Sequence, residues 1–144
     1  MAKYNVTYAC GHVAEKQLYG PMDDRQRYLA WAARSANCPS CRQAGADQAI
    51  SDIEAEHELP ALTGSEKQAK WGREIRAEKI AGVVEFVQKN RPATMTDEQA
   101  TKFDQQYSAV MQLLYGRTEA GWWIDRRSAP GQEIAKAAFA ETRR

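Results

Sequence analysis

The chain lacks long apolar runs, a surplus of one charge and an even number of cysteines. No stretch approaches the roughly 18 consecutive apolar residues that cross a bilayer, and residues 1–8 contain no apolar core typical of a signal peptide. The 20 basic and 19 acidic side chains leave a formal net charge of +1, which excludes nucleic-acid binding by bulk charge alone. We therefore expect an intracellular protein with no membrane-embedded segment.

Length and composition are those of an ordinary globular protein. A chain of 144 residues has room for one domain, or for a small domain with an appendage. Hydrophobic residues make up 43% and charged residues 27%, which argues against wholesale disorder and against fibrous architectures.

The three cysteines lie in two short motifs about 25 residues apart. Cys10 and His12 flank a glycine, and Cys38 and Cys41 flank a Pro-Ser pair. Thiolate sulfur and imidazole nitrogen are the donors that Zn²⁺ prefers, in a tetrahedron of four. The sequence therefore predicts one structural Zn²⁺ per chain, and Gly11 is expected at positive φ in the first turn. Four protein ligands leave no coordination position for a reacting water.

Two other interpretations of these residues are open. They are core cysteines beside a surface histidine, or a redox-active Cys-x-x-Cys pair. A redox pair leaves Cys10 and His12 without a role, and a disulfide is disfavoured in an intracellular chain.

Residues 1–41 are predicted to form a zinc-binding module. Alternation of apolar and polar residues over 4–8, and a second extended segment over 13–19, predict two antiparallel strands joined at the first ligand pair. A helix over 22–34, with acidic residues in its first turn, leads to the second pair. A module of this size needs its metal to stay folded.

Residues 42–64 are predicted to be an acidic connector. One arginine and five acidic residues give this segment a net charge of −4, and its few apolar residues indicate an exposed helix or a linker. His57 has no second ligand at metal spacing, so it is predicted to be solvated.

Residues 65–144 are predicted to form a helical part. Ser65 with Gln68, and Thr96 with Gln99, match the capping box, which places helices near 65–89 and 97–115. These two helices are expected to pair as an antiparallel hairpin, the second ending at a C′ glycine, Gly116. A last helix is predicted near 130–142. The predicted fold class is α+β, mostly helical: a small N-terminal zinc-ribbon-like β-hairpin module plus a C-terminal helical bundle.

The candidate binding surface lies on this helical part, because it holds more tryptophan and arginine than a short bundle needs, and both are enriched at binding hot spots. Two adjacent helical tryptophans point about 100° apart, so one can be buried and the other exposed. The alternatives are that the basic residues form a solvated, salt-bridged face and that the tryptophans belong to the core. The turn at 63–67 is a further candidate, for anion binding. The candidate residues are Ser65, Lys67, Trp71, Arg73, Arg76, Trp122, Trp123, Arg126 and Arg127.

The sequence offers little for catalysis. No histidine lies beside a nucleophile, and there is no glycine-rich phosphate loop. We therefore expect a binding protein and not an enzyme.

Three motifs carry a resemblance to known proteins. They are CGH at 10–12 with CPSC at 38–41, LPALTGSEKQ at 59–68, and WWID at 122–125. Together they resemble a family of small zinc-ribbon proteins from bacterial phages, plasmids and other mobile elements, to which no activity is assigned. Gly72 follows Trp71 at a helical position where helix stability favours alanine, which predicts a close helix contact or a weaker helix.

The resemblance implies a protein of the bacterial host cytoplasm, with counter-defence as one role: an inhibitor of a nuclease or of an RNA-guided complex. Near-zero net charge favours a protein partner over a nucleic acid, since nucleic-acid binders usually show a basic face. The alternative is a nucleic-acid-binding zinc-ribbon module, and less favoured are a binder of small anions or an enzyme. The sequence does not indicate an oligomeric state.

Overall fold

The computed structural model describes residues 2–144, which divide into two compact units. Unit 1 ends at Ala49, and unit 2 comprises Ile50–Arg144. The boundary falls within residues 42–64, the predicted connector. The fold is α+β and mostly helical, as predicted, with one two-stranded sheet.

Unit 1 begins with an antiparallel hairpin of β1 (Ala2–Thr7) and β2 (Val13–Leu18), followed by α1 (Met22–Ser35). Both strands and the helix are confirmed. In the register, Val6 pairs with Ala14, and alternate residues of each strand therefore share one face. The buried cluster of unit 1 is small: Val6, Tyr8, Ala32 and Cys38.

Helix α2 (Pro39–Glu56) starts within the second ligand motif and contains no fully buried residue. Of the two alternatives predicted for residues 42–64, an exposed helix or a linker, the structure shows a helix as far as Glu56. The prediction that His57 is solvated is wrong. His57 is half-buried, and its Nδ1 lies 2.7 Å from the hydroxyl oxygen of Tyr115, a partner 58 residues away that no local pattern reveals.

Unit 2 contains α3 (Glu66–Asn90), α4 (Asp97–Tyr115), α5 (Ala120–Asp125) and α6 (Gly131–Thr142). Both capping boxes are confirmed. The backbone N–H of Gln68 donates to Ser65 Oγ, and that of Gln99 to Thr96 Oγ1, each at 3.2 Å. Each capping glutamine also accepts a bond from the backbone N–H of its cap.

The predicted pairing of α3 with α4 as a simple hairpin is wrong. Helix α3 packs mainly against α5 and α6, and α4 packs against α6, so the last helix is the shared neighbour of both. Helix α6 approaches α3 closely because two glycines meet there. A Cβ built on Gly131 would lie 2.6 Å from the carbonyl carbon of Gly82.

Two further glycine predictions have opposite outcomes. Gly72 makes the close contact that was expected, since a Cβ there would lie 3.0 Å from both Ala120 Cβ and Leu62 Cδ1. Gly116 does not adopt the left-handed C′ conformation. Its φ is −73°, and it caps α4 by donating its N–H to the carbonyl oxygen of Gln112.

The core of unit 2 is built around Trp123, which is fully buried and donates Nε1–H to the carbonyl oxygen of Arg117 at 2.8 Å. Buried residues of α3, α4 and α6 surround it, including Ile80, Val110 and Ile134. Trp122 is half-buried, so one tryptophan of the pair lies in the core and the other reaches the surface, as their spacing predicts.

Candidate metal centre

The first ligand pair lies in the turn that joins β1 to β2. Gly11 has φ +86°, the positive value that the sequence predicts. Its N–H donates to the carbonyl oxygen of Tyr8 at 2.9 Å, and the N–H of Tyr8 donates to that of His12 at 3.0 Å. The turn therefore holds Cys10 and His12 on one side of the hairpin end.

The second pair lies at the start of α2. The N–H of Cys41 donates to Cys38 Sγ, and the N–H of Cys38 donates to Cys10 Sγ, each at 3.4 Å. The N–H of Ala9 also donates to the carbonyl oxygen of Ala36 at 2.9 Å. These bonds tie the hairpin end to the segment between α1 and α2, and so bring the two pairs together.

The four side chains form one Cys₃His cluster. Their donor atoms all lie within 4.8 Å of one another, and His12 Nδ1 lies 3.6 Å from Cys38 Sγ and 3.2 Å from Cys41 Sγ. A tetrahedral zinc ion, with Zn–S of about 2.3 Å and Zn–N of about 2.0–2.1 Å, separates sulfur from nitrogen by about 3.6 Å. The donor set and its spacing therefore fit a metal ion of the zinc type.

The thiols differ in their proton affinity. The backbone N–H of Cys38, which points at Cys10 Sγ, lowers the pKa of Cys10 to about 6. The hydrogen bond with Cys38, together with burial, raises the pKa of Cys41 to about 11. Without a cation, one thiolate disfavours the ionisation of the neighbouring thiols, because like charges repel at this distance. A bound divalent cation would instead favour the thiolate form of all three cysteines.

Comparison of the chain with family models, with curated proteins and with solved structures finds no match. Among residues 2–144, no helix combines the length and apolar character needed to cross a membrane.

The candidate binding residues of α3 have different environments. Arg76 is 2% exposed, and it donates to Glu54 Oε1 at 2.9 Å and to the carbonyl oxygen of Pro60 at 2.6 Å. Arg73 forms two bonds of 2.8 Å to the same carboxylate, and these bonds lower the pKa of Glu54. Arg76 is therefore part of the interior of unit 2, and Arg73 is largely engaged in the same network.

The turn at 63–67 lies beside the start of α5. The N–H of Thr63 donates to the carbonyl oxygen of Thr118 at 2.7 Å, and the N–H of Ala120 donates to that of Thr63 at 3.0 Å. Ser65 is engaged as the helix cap, whereas Lys67 is exposed.

The tryptophans and arginines around α5 form stacked pairs. The guanidinium of Arg126 lies 3.9 Å from the ring centre of Trp122, and that of Arg127 lies 5.7 Å from the ring centre of Trp71. Trp71 is 47% exposed. Trp122 and Arg126 thus reach the surface together, as do Trp71 and Arg127, while Trp123 does not.

A cavity of about 250 Å³ lies beside Trp122 in unit 2. Apolar side chains of α4 and α6 form its inner wall, and charged side chains lie at its rim. At the rim, Arg117 pairs with Glu141 at 2.7 Å, and its guanidinium lies 5.2 Å from the Trp122 ring centre. No local sequence pattern points to Arg117, because the cavity combines side chains of three helices that are distant in sequence. Lining residues include Leu114, Arg117, Trp122, Arg126, Ile134 and Ala138.

Proposed function

We propose that the Cys₃His cluster binds one zinc ion, and that the protein is a zinc-stabilised binding protein and not an enzyme. The observation that carries this proposal is the convergence of four donor atoms within 4.8 Å of one another. Cys10, His12, Cys38 and Cys41 would hold the ion. Because they fill the tetrahedral coordination sphere, the ion would stabilise the fold and would not activate a substrate.

A structural role follows from the size of unit 1. Among its described residues, the buried cluster contains four side chains, one of which is the proposed ligand Cys38. Such a core cannot offset the conformational entropy of the chain by itself, whereas structural zinc contributes on the order of 10–16 kcal/mol in zinc-finger peptides. Loss of the ion should therefore unfold unit 1.

Metal content tests this proposal. Purified protein should contain one zinc per chain by elemental analysis, and titration with Co²⁺ should give the absorption of a tetrahedral thiolate site. Cys38→Ser should lose both signals. Ser40→Ala, an exposed change in the same motif, should keep both. Wild-type protein that neither retains zinc nor binds Co²⁺ would contradict the proposal.

We propose that the partner is a protein and that it docks at the Trp122 cavity. Hot spots of protein interfaces combine a well-packed pocket with tryptophan and arginine, and this cavity has an apolar wall, a tryptophan and two arginines. Its volume suits an apolar side chain of a partner. The resemblance to mobile-element proteins supports a counter-defence role, in which this contact inhibits a bacterial nuclease or RNA-guided complex.

Filling the cavity tests the docking site. Ala137 is exposed and lines the cavity, so Ala137→Phe should block it, while Lys136→Phe adds the same ring at an exposed neighbouring position that does not line it. Proteins captured from bacterial lysate, with and without nuclease treatment, should be identified and retested in purified form. A partner retained by Lys136→Phe but lost by Ala137→Phe supports the site. Equal capture by both variants would exclude it.

A further inference from the structure

Unit 1 carries most of the large apolar side chains that the described residues expose. Of five such side chains, Val13, Tyr19, Met22 and Trp31 belong to unit 1, and only Trp71 belongs to unit 2. Trp31 is 49% exposed although its neighbour Ala32 is fully buried, so the ring lies on the outer side of α1. The core of unit 1 therefore does not account for this tryptophan.

Trp31 is one member of an aromatic pair on α1. Its ring centre lies 5.7 Å from that of Tyr28, one helical turn earlier. Lys16, on β2, donates to the hydroxyl oxygen of Tyr28 at 2.9 Å, and its ammonium lies 4.6 Å from the ring centre. Because Lys16 anchors Tyr28, the two rings form a platform whose orientation is set by the hairpin and α1 together.

Cations flank this platform. Arg27 and Arg34 lie four residues before and three residues after Trp31, which places them on the same side of α1. The hydrogen bond from Lys16 and, to a smaller extent, the charge of Arg42 lower the pKa of Tyr28, so positive potential reaches the rings.

On α1, negative charge is confined to the first turn. The acidic residues of α1 are Asp23 and Asp24, both in its first turn and about 10 Å along the axis from Trp31. Asp24 lies 3.5 Å from Arg27, an exposed pair that water and salt screen. The surface defined by Lys16, Arg27, Tyr28, Trp31 and Arg34 therefore has a cationic character that the whole chain lacks.

We propose that this Trp31 surface binds single-stranded nucleic acid. A base would stack on Trp31, and Lys16, Arg27 and Arg34 would contact the flanking phosphates. An exposed aromatic ring among cations is the arrangement by which proteins bind single strands without reading their sequence. The inference requires the zinc-held fold of unit 1, but it does not depend on the docking site of unit 2.

Fluorescence anisotropy with a labelled oligothymidylate of about 12 nucleotides tests the proposal on the zinc-loaded full chain, because thymine bases pair little with one another. Trp31→Ala should weaken binding at least about fivefold, the loss expected for one stacked base. Trp31→Phe, which keeps a ring, should retain most of the affinity. Trp71→Ala is the matched control, since Trp71 is exposed to almost the same extent but belongs to unit 2.

Salt dependence tests the phosphate contacts. Replacing both Arg27 and Arg34 with glutamine should reduce the slope of log affinity against log salt by about 1.4, because each phosphate contact on a single strand adds about 0.7. Circular dichroism and zinc content of every variant should match those of the wild type, so that a loss of binding does not arise from unfolding.

Three outcomes would overturn the inference. The first is that the chain does not bind the oligonucleotide at about 50 mM salt, where phosphate contacts are strong. The second is that Trp31→Ala binds the oligonucleotide as tightly as the wild type does. The third is that the chain does not bind the oligonucleotide but captures a protein, and that this capture requires Trp31. In each case one zinc per chain would leave the metal proposal intact, whereas a metal-free wild-type protein would refute the metal proposal itself.

Discussion

Neutralising Glu54 should destabilise unit 2, because it removes the counter-ion of a buried arginine. Its carboxylate accepts bonds from Arg73 and from Arg76, and the Arg76 side chain is 2% exposed. Glu54→Gln keeps the shape and one acceptor oxygen, but it removes the negative charge and replaces the other acceptor oxygen with an amide donor. The guanidinium of Arg76 would then remain buried with a carbonyl oxygen, that of Pro60, in place of a counter-ion.

The size of the effect follows from the burial of Arg76. Breaking a buried ion pair by removing one partner costs about 3–5 kcal/mol, because the remaining charge is uncompensated. Glu54 retains 20% exposure of its side chain and Arg76 keeps the Pro60 bond, so we expect about 3 kcal/mol, the lower end of that range. Glu56→Gln, an exposed change on the same helix, should alter stability by less than about 0.5 kcal/mol.

Urea denaturation of the zinc-loaded chain measures this difference. A Trp31→Phe background leaves Trp71, Trp122 and Trp123 as the only tryptophans, all in unit 2, so their fluorescence follows the unfolding of that unit. Adding Arg76→Met to Glu54→Gln removes the buried charge that has lost its counter-ion. The double change should restore more than half of the lost free energy of unfolding. A Glu54→Gln variant within 0.5 kcal/mol of its parent, a threshold of about the size of ordinary surface effects, would refute the reasoning.

The same network predicts a dependence on pH. The hydrogen bonds from Arg73 lower the pKa of Glu54 below its ordinary value of 4.5. A carboxylate with a depressed pKa contributes stability that is fully present above 4.5 and is lost as the pH falls through the folded-state pKa. The stability gap between parent and Glu54→Gln should therefore narrow below pH 4.5. Any metal released in acid would be lost from both proteins alike, so the gap isolates Glu54.

Three further perturbations test other parts of the fold. Gly131→Ala should lower the free energy of unfolding, measured by urea denaturation, by about 1–3 kcal/mol or more, because its methyl group would overlap the backbone of Gly82. Gly121→Ala is the control and should leave the free energy of unfolding unchanged, because there is open space around its Cβ. Equal effects of the two variants would contradict the close approach of Gly131 to Gly82. Metal removal by a strong chelator should reduce the helical circular dichroism through unfolding of α1 and let all three thiols react rapidly with a thiol reagent, whereas an unchanged spectrum of metal-free protein would exclude a structural metal. Tyr115→Phe should lose about 1 kcal/mol by removing the partner of His57, and an unchanged stability would refute that bond.

The sequence predicts well those features that are decided within a few residues. A capping box is complete within four positions, so Ser65 and Thr96 mark the starts of α3 and α4 correctly. The turn at Gly11 and the two ligand pairs are local in the same way, and the chemistry of sulfur and imidazole relates the pairs to each other across the intervening chain.

Features that depend on distant partners were not predicted. Basic residues repeat every three positions along α3, and each step rotates about 60° backwards around the axis, so some of them necessarily face the core. The sequence does not show that Arg76 is one of these, because its counter-ion Glu54 lies 22 residues earlier in a segment that was predicted to be a connector. The position of α6 against both α3 and α4 likewise depends on the Gly82–Gly131 contact, which joins two residues without a shared motif.

The spacing of the ligand pairs has a consequence for the unfolded chain. Cys10 and Cys38 lie 28 positions apart, so a metal bound to both acts as a cross-link that closes a loop of that length. By the relation used for disulfides, such a closure reduces the entropy of the unfolded ensemble by an amount equivalent to about 3–4 kcal/mol at 25 °C. Unlike a disulfide, this cross-link forms without an oxidant and opens when the metal is withdrawn. A metal would thus tie a small unit together without any oxidation, and the stability of the unit would follow the supply of free metal.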